Sequence, residues 1–314
     1  MALFVGIVSY ARPLAFKLCL LSLARTRIVK GVIAVIDVRD EREKERYINV
    51  VNKAREYGLE IIIDLSRKRR GSANARNRIF NITEQLLKTD DILILYDDDY
   101  VCPGAHALIP ASIWLRDKNI GLVGGRVINL RRRRIDPDLY LDLLPGLADA
   151  LTKLTGFIFL DTKHGPRYVN YTTPLMAMRV SVLKQGVRYD PNYEGTAYRE
   201  ESDLQLQVRR LGYKIVYEPA FYTYHLCLEE GGNRSIDDVR RRFYWKTRNN
   251  TYFIKKNKLS TKDLVLSSFV IFTYAAVHGP GVLEASYRGL KEGLLLARYY
   301  DYKHVRGTSS MLSG

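Results

Sequence analysis

Three consecutive carboxylates, Asp97-Asp98-Asp99, close the apolar run Ile92-Leu93-Ile94-Leu95-Tyr96. The run reads as a short buried strand bounded by acids at both ends. Like charges clustered beside a core repel one another, and folding alone does not select them. A divalent cation relieves that repulsion: two carboxylates at i and i+2 can take one hard cation, which can then hold a diphosphate. A polar turn after a strand is the competing reading of so short a pattern. A second acidic cluster, Glu200-Glu201-Ser202-Asp203, opens an expected helix that Gly212 stops. Leu204, Val208 and Leu211 share one face of it. Glu200 and Glu201 border that face on either side, and Asp203 points away. Acids suit a helix N-terminus because the macrodipole stabilises them, which accounts for Asp203. A carboxylate held at a cleft rim is a candidate general base, which Glu200 and Glu201 could be. His225 precedes Glu229-Glu230-Gly231-Gly232-Asn233-Arg234. A lone histidine is usually a satisfied structural residue, but the Gly-rich neighbour makes this one a candidate metal or phosphate ligand.

Alternating elements would have to position these groups. Leu3 to Ser9 reads as a first strand, followed by a helix that Pro13 opens and Leu14 to Ala24 continues. Gly31 to Asp37 is a second strand, Glu41 to Tyr57 a charged helix stopped near Gly58, and Leu59 to Asp64 a third strand. Basic residues Arg67 to Arg70 precede Gly71-Ser72-Ala73-Asn74-Ala75-Arg76-Asn77, whose small residues open a helix to about Lys88. The fourth strand ends in the triple Asp. Gly104 to Lys118 reads as helix, and Ile120 to Leu130 as a strand interrupted by Gly124-Gly125. This alternation predicts an α/β fold with a mostly parallel sheet and right-handed crossovers. Ligands of such sheets sit beyond the carboxyl ends of strands, where Asp37, Asp64, the triple Asp and the Tyr10–Arg12 turn all fall. Later segments are less regular. Arg131 to Arg134 reads as a solvated basic run, Arg167 to Thr172 as strand, Val180 to Gln185 as a short helix. Lys214 to Glu218 and Phe221 to Leu228 read as extended pieces separated by Pro219.

The 314-residue chain is 46% apolar and carries a net charge of +16. That length accommodates one large domain plus an appendage. The excess charge suits an acidic partner: a nucleotide, a nucleic acid or an anionic membrane surface. Cys19, Cys102 and Cys227 are far apart and show no metal spacing, so a reducing compartment suits them better than a disulfide framework. Met1 to Ser9 reads as a strand, not a signal peptide, and no stretch reaches the roughly 18 uncharged apolar residues of a membrane span. Together these imply a cytoplasmic protein.

In order and spacing the motifs resemble inverting glycosyltransferases of family 2, which have the GT-A fold. The resemblance covers roughly Phe4 to Lys258. Gly6-Ile7-Val8-Ser9-Tyr10-Ala11-Arg12-Pro13 is similar to the family's first strand and nucleotide-binding turn, and Ala75-Arg76-Asn77 to its Ala-Arg-Asn helix start. Tyr96-Asp97-Asp98-Asp99 resembles its Asp-x-Asp segment, and Glu200-Glu201-Ser202-Asp203-Leu204 its Glu-Asp-x-Asp-Leu helix. His225 with Gly231-Gly232 is similar to its late histidine and acceptor loop. The resemblance implies that Ser9, Tyr10, Asp37, Arg76, Asp97 and Asp98 hold a nucleotide-diphosphate sugar. It implies that Asp97, Asp99 and His225 hold Mn²⁺ or Mg²⁺. Glu201 falls where the family carries its catalytic Asp, one methylene longer, with Glu200 or Glu230 as substitutes. Glu200, Gly231, Gly232 and Arg234 would meet the acceptor, a glycan or a polyprenyl-linked sugar. Asp37-Val38-Arg39-Asp40 is shorter than the family's Asp-Asp-Gly-Ser stretch, and no Gln-x-x-Arg-Trp motif suggests a processive synthase.

The expected organisation is a catalytic domain over 1–258, a helical hairpin over 259–306 and a disordered tail over 307–314. Val239 to Lys258 is expected to pack on the catalytic domain. In the hairpin, Leu264 to Val277 and Val282 to Tyr300 combine apolar residues with Arg288, Lys291, Arg298 and Lys303. A packed hairpin and a peripheral contact with an anionic inner membrane face both fit. Competing functions are a non-catalytic sugar-nucleotide binder, a pyrophosphorylase, for which the Gly-rich loop after the first strand is missing, and a nucleic-acid-binding protein. Only net charge speaks for the last, since clustered acids repel phosphate backbones. The resemblance accordingly implies no nucleic-acid partner.

Overall fold

The computed structural model describes residues 1–130, 144–228 and 238–310, with side chains described as far as residue 300. The chain divides into two compact units. The first comprises Met1–Thr152, Ile158–Pro191 and Glu201–Ser235; the second comprises Lys153–Phe157, Asn192–Glu200 and Ile236–Gly314.

The first unit is the expected α/β body with a mostly parallel sheet. Strands β1 (Leu3–Tyr10), β2 (Val29–Asp37), β3 (Glu60–Ser66) and β4 (Ile92–Asp97) alternate with helices α1 (Pro13–Ala24), α2 (Glu41–Glu56) and α3 (Ser72–Leu86). β1, β2 and β4 are near-continuous apolar runs because both of their faces are covered. β1 pairs in parallel with β2 on one side and β4 on the other. The strand order β3-β2-β1-β4 therefore reverses direction at β1/β4, and a crevice opens beyond the carboxyl ends at that reversal. Local signals set the helices. Pro13 sits in the first turn of α1. The Asp40 side chain caps α2 by accepting from the Glu43 N–H at 2.7 Å.

The sheet continues through β5 (Tyr100–Val101), β6 (Ile120–Asn129), β7 (Arg167–Tyr168), β8 (Met176–Arg179) and β9 (Lys214–His225), with α4 (Ala105–Trp114), α5 (Pro145–Thr155), α6 (Val180–Leu183) and α7 (Glu200–Arg210) interspersed. β8 runs antiparallel between β4 and β6, and β9 runs parallel to β6. Several expectations are corrected here. The pieces on either side of Pro219 form one strand, β9, which bulges opposite Gly125/Arg126. Proline tolerates such a place because no ladder N–H is needed there. Gly124 and Gly125 do not interrupt β6. A Cβ on Gly124 would lie 1.8 Å from Thr172 Oγ1, and one on Gly125 2.4 Å from the Phe221 carbonyl oxygen. These glycines therefore permit close packing. Strand β7 is two residues long and α4 ends at Trp114. Asp203 is buried at 1% exposure instead of pointing into solvent, and it accepts from Gln207 Nε2 at 3.0 Å.

The second unit is built on α8 (Val239–Lys256), α9 (Thr261–Val277) and α10 (Pro280–Ser310). Helix α8 was expected with the sheet domain but groups with α9 and α10. Two glycines explain the grouping. A Cβ on Gly289 would lie 2.3 Å from the Tyr244 carbonyl oxygen, and one on Gly293 2.5 Å from that of Arg248, so α10 presses directly on the backbone of α8. Helix α10 extends to Ser310, past the expected start of a disordered tail; residues 311–314 lie outside the described residues. No helix among the described residues is long and apolar enough to cross a membrane.

Candidate active site

The cleft lies in the first unit, at the ends of β1 and β4, and has a volume of about 190 Å³. β4 delivers Asp97 to its rim with 35% of the side chain exposed; the Asp98 and Asp99 side chains, at 6% and 2%, turn into the protein. Asp98 anchors the turn after β1. Its Oδ2 accepts from Ser9 Oγ at 2.6 Å and its Oδ1 from Arg12 Nη1 at 3.3 Å. The Tyr47 hydroxyl donates in turn to Ser9 Oγ at 2.7 Å, and the Arg12 N–H donates to the same phenol oxygen at 2.9 Å. Burial, with Asp99 and Asp97 nearby, pushes Asp98 up to about 7, against the lowering effects of Ser9 and Arg12. Asp98 lines the cleft, but its two oxygens serve Ser9 and Arg12.

Asp99 meets the other edge of the sheet. The two-residue strand β5 pairs Tyr100 with His225 of β9, and the Leu226 N–H donates to the Asp99 carbonyl at 3.0 Å. This pairing carries a histidine 126 residues away to the acid cluster, with His225 Nε2 at 3.3 Å from Asp99 Oδ2. The other ring nitrogen, Nδ1, lies 2.7 Å from Asn129 Oδ1 at the end of β6. An amide oxygen only accepts, so Nδ1 carries the proton and Nε2 of a neutral ring turns its lone pair to Asp99. Two such acceptors can share one divalent cation, and a histidine oriented by an outer hydrogen bond is the arrangement metal sites use. Asp99 and His225 therefore fit a divalent cation. Asp97, expected as the third ligand, is engaged by Arg76, and among the described residues no group of three His, Cys, Asp or Glu side chains forms a metal site. Cations that serve diphosphates commonly use one or two protein ligands, with phosphate oxygens and water completing the shell.

Arg76, in the first turns of α3, joins the two acidic clusters. Nη2 donates to Asp97 Oδ1 at 3.3 Å and Nη1 to Glu201 Oε1 at 3.1 Å, with the guanidinium 5.2 Å over the Tyr189 ring. The Glu201 side chain is 15% exposed. Burial raises its pKa above the ordinary glutamate value and Asp97 adds to the rise, while Arg76 opposes it. Such a carboxylate, held against an arginine that lines the cleft, is a base candidate on physical grounds.

The end of the cleft at β2 departs most from expectation. Asp37 does not present an open carboxylate. Oδ2 accepts the Arg70 N–H at 2.7 Å and Oδ1 accepts Arg70 Nε at 2.8 Å. Arg70 also donates to Asp64 at 2.6 Å, and Arg78 donates to the other oxygen of Asp64 at 2.6 Å. Asp37 thereby fixes the loop that carries Arg69, whose guanidinium lies 4.4 Å over the Tyr10 ring. Together Arg69 and Tyr10 make a flat cationic wall beside the open volume. Tyr47, Arg69, Arg70 and Asn129 were missed as site residues in the sequence, and Arg12 was placed there only as part of the turn after the first strand. The run Arg67 to Arg70 and the strand-end acid Asp64 were visible, but nothing in the spacing paired them. Glu200 is 1% exposed and belongs to the second unit. Glu230, Gly231, Gly232 and Arg234 lie outside the described residues, as does Arg131 to Arg134.

No protein-family model matches the chain, and no curated protein matches it. Among solved structures it is similar to the mannosyltransferase PcManGT from Pyrobaculum calidifontis, in complex with GDP-Man and Mn²⁺, at 14% identity and a TM-score of 0.56 over 99% of this chain and 80% of that one. It is similar to S. aureus TarS, at 14% identity and a TM-score of 0.53 over 87% of this chain and 43% of that one. A third similarity is to GalNAc-T7 with UDP, GalNAc and Mn²⁺, at 17% identity and a TM-score of 0.52 over 82% of this chain and 50% of that one. The chain thus spans most of the first protein and half or less of the other two. At these identities the common property is the fold: a mixed, mostly parallel sheet flanked by helices, of the GT-A type.

Proposed function

We propose that this chain is a metal-dependent inverting glycosyltransferase of the family 2 type, moving a hexosyl unit from a nucleotide-diphosphate sugar to a hydroxyl of a glycan or lipid-linked acceptor. The observation that carries the reading is the Arg76 bridge, which sets the Glu201 carboxylate at 3.1 Å and the Asp97 carboxylate at 3.3 Å from one guanidinium. A base candidate and the acid cluster therefore meet on one arginine that lines the cleft. The fold held in common with proteins solved with GDP-Man or UDP and Mn²⁺ supports the same reading.

In this reading Tyr10 and Arg69 flank the nucleotide, with Ser9 and Asp98 holding the turn beneath it. A divalent cation on Asp99 and His225 would neutralise charge developing on the departing diphosphate. Glu201 takes the proton of the acceptor hydroxyl, and that oxygen bonds to the anomeric carbon. The bond from that carbon to the diphosphate oxygen breaks on the opposite face, so the nucleoside diphosphate leaves and the configuration inverts. Arg76 holds the Glu201 carboxylate in place for proton uptake. The test is thermal stabilisation by a panel of nucleotides and nucleotide sugars, with and without Mn²⁺. A ligand at a hundred times its dissociation constant adds roughly 2.7 kcal/mol. Metal-dependent stabilisation by one nucleotide class, lost in Asp99→Ala, is the expected result. Absence of stabilisation by any nucleotide, alongside salt-sensitive DNA or RNA binding, would remove the reading.

The second unit supports a peripheral position on an anionic membrane face. Residues 238–300 carry twelve Lys and Arg against four Asp and Glu. Along α9 and α10, Val265, Phe269, Val277 and Leu295 are each more than 60% exposed, and an apolar groove of about 440 Å³ runs between Leu264 and Leu294. Apolar surface within a basic unit suits an anionic bilayer. The full chain should co-sediment with vesicles containing phosphatidylglycerol and not with pure phosphatidylcholine, and Phe269→Asp should reduce that binding. Equal recovery with both vesicle types would count against it.

A further inference from the structure

We infer that Arg12 is the counter-ion of the acid cluster in the donor-free protein, and that its guanidinium transfers to the donor's diphosphate when Asp99 takes a divalent cation. The inference rests on the transferase reading of the site. Arg12 is 9% exposed and lines the cleft, and its Nη1 reaches Asp98 Oδ1 at 3.3 Å and Asp99 Oδ2 at 3.2 Å. Asp99 Oδ2 is also the oxygen that His225 Nε2 faces. A guanidinium and a divalent cation at one carboxylate oxygen repel each other strongly in a buried setting. Arg12 therefore competes with the cation for Asp99.

The contact lengths show which partner gives way. Arg70 holds Asp37 and Asp64 at 2.8 and 2.6 Å, the range of strong charge-assisted bonds. Arg12 Nη1 lies 3.2 Å from Asp99 and 3.3 Å from Asp98, and Nη2 lies 3.4 Å from the Leu228 carbonyl oxygen, all longer than those bonds. The Arg12 backbone, by contrast, is fixed. Its N–H donates to Tyr47 OH at 2.9 Å, and Pro13 starts α1 directly after it. A guanidinium on long contacts to these two carboxylates, with its backbone fixed, can exchange one anion for another by rotamer changes alone. A planar fork of donors beside the open cleft suits diphosphate oxygens as well as carboxylates. The exchange makes cation and diphosphate binding mutually dependent: Arg12 opposes the metal while no diphosphate is present and favours it once one is.

The test uses the full chain stripped of metal, with Mn²⁺ and inorganic pyrophosphate as probes in calorimetry. Arg12→Gln should bind Mn²⁺ alone more tightly, on the order of tenfold, a common size for coupling between sites. In saturating Mn²⁺ it should bind pyrophosphate more weakly by a similar factor. Metal-free Arg12→Gln should also melt below the wild type, with Mn²⁺ closing the gap. Should Arg12→Gln not fold, Arg12→Lys serves: it keeps the charge, so Mn²⁺ affinity should stay near that of the wild type while pyrophosphate binding weakens. Unchanged or weaker Mn²⁺ binding by Arg12→Gln, with nucleotide still stabilising the wild type, would overturn this inference and leave the transferase reading in place. A wild type that binds neither Mn²⁺ nor any nucleotide would overturn both.

Discussion

Glu201→Gln is expected to lower kcat by roughly 10²- to 10⁴-fold, the usual worth of a positioned general base, and to make the protein more stable at neutral and alkaline pH. The two effects have one cause. Burial, the largest influence on Glu201, raises its pKa in the folded protein above the ordinary glutamate value. Between those two values the folded chain keeps a proton that the unfolded chain has released. Stability then falls as pH rises through the window, because the unfolded state binds fewer protons than the native one. A glutamine carries no charge to desolvate and still offers Arg76 an oxygen, so the variant avoids that loss. Activity measured with a nucleotide-sugar donor, together with denaturation at a series of pH values, checks both halves. A variant that lost activity and stability together would speak for a structural ion pair with Arg76. Unchanged turnover would move the base elsewhere, with Glu230 the next candidate on the chain.

This combination of loss and gain also explains why the site could be read only in part from the sequence. Asp97-Asp98-Asp99 and Glu200-Glu201 were legible because they are short clusters of costly groups at the ends of strongly patterned elements. The order β1-α1-β2-α2-β3-α3-β4 was legible for a similar reason. Apolar runs such as Leu3–Tyr10 and Ile92–Asp97 alternate with segments of helical spacing, and parallel pairing follows from that alternation. Partnership was not legible. Asp37 and Arg70 are 33 residues apart, Ser9 and Asp98 are 89, and His225 and Asn129 are 96. No local period encodes such separations. Asp97, expected beside Asp99 and His225, is met by Arg76 across the β1/β4 crevice, and only the three-dimensional register shows that contact.

Two misreadings have a packing origin. Gly124 and Gly125 look like strand breakers, yet their missing Cβ atoms admit Thr172 and the Phe221 backbone against an unbroken β6. Helix α8 groups with α10 because Gly289 and Gly293, one helical turn apart on α10, let that helix lie against the backbone of α8. Glycines four apart in a helix weaken it by propensity alone. Their purpose appears only when the second helix is present.

In metal-free protein, Asp98→Asn is expected to raise stability at pH 7 by up to about 4 kcal/mol relative to wild type and to leave it unchanged near pH 4. Asp98 titrates at about 7 in the folded protein, against an ordinary value of 3.8. Below the lower value both states hold the proton and the carboxyl contributes no difference. As pH rises through the window the unfolded chain ionises first, and the wild type loses about 1.36 kcal/mol per pH unit from this one group. Above the upper value the loss is complete and constant. Asparagine can still accept the Ser9 hydroxyl, so the turn after β1 keeps its anchor. Carboxylates away from the cluster shape both curves equally, so the diagnostic quantity is the difference between variant and wild type across pH 4 to 8, measured by urea denaturation with chelator present. A constant difference would mean that Asp98 is ionised throughout, with Arg12 carrying the full charge of the cluster. A difference that opens with pH and narrows when Mn²⁺ is restored would tie the cost of burying Asp98 to the cation, and would explain how a protein tolerates three acids where a core begins.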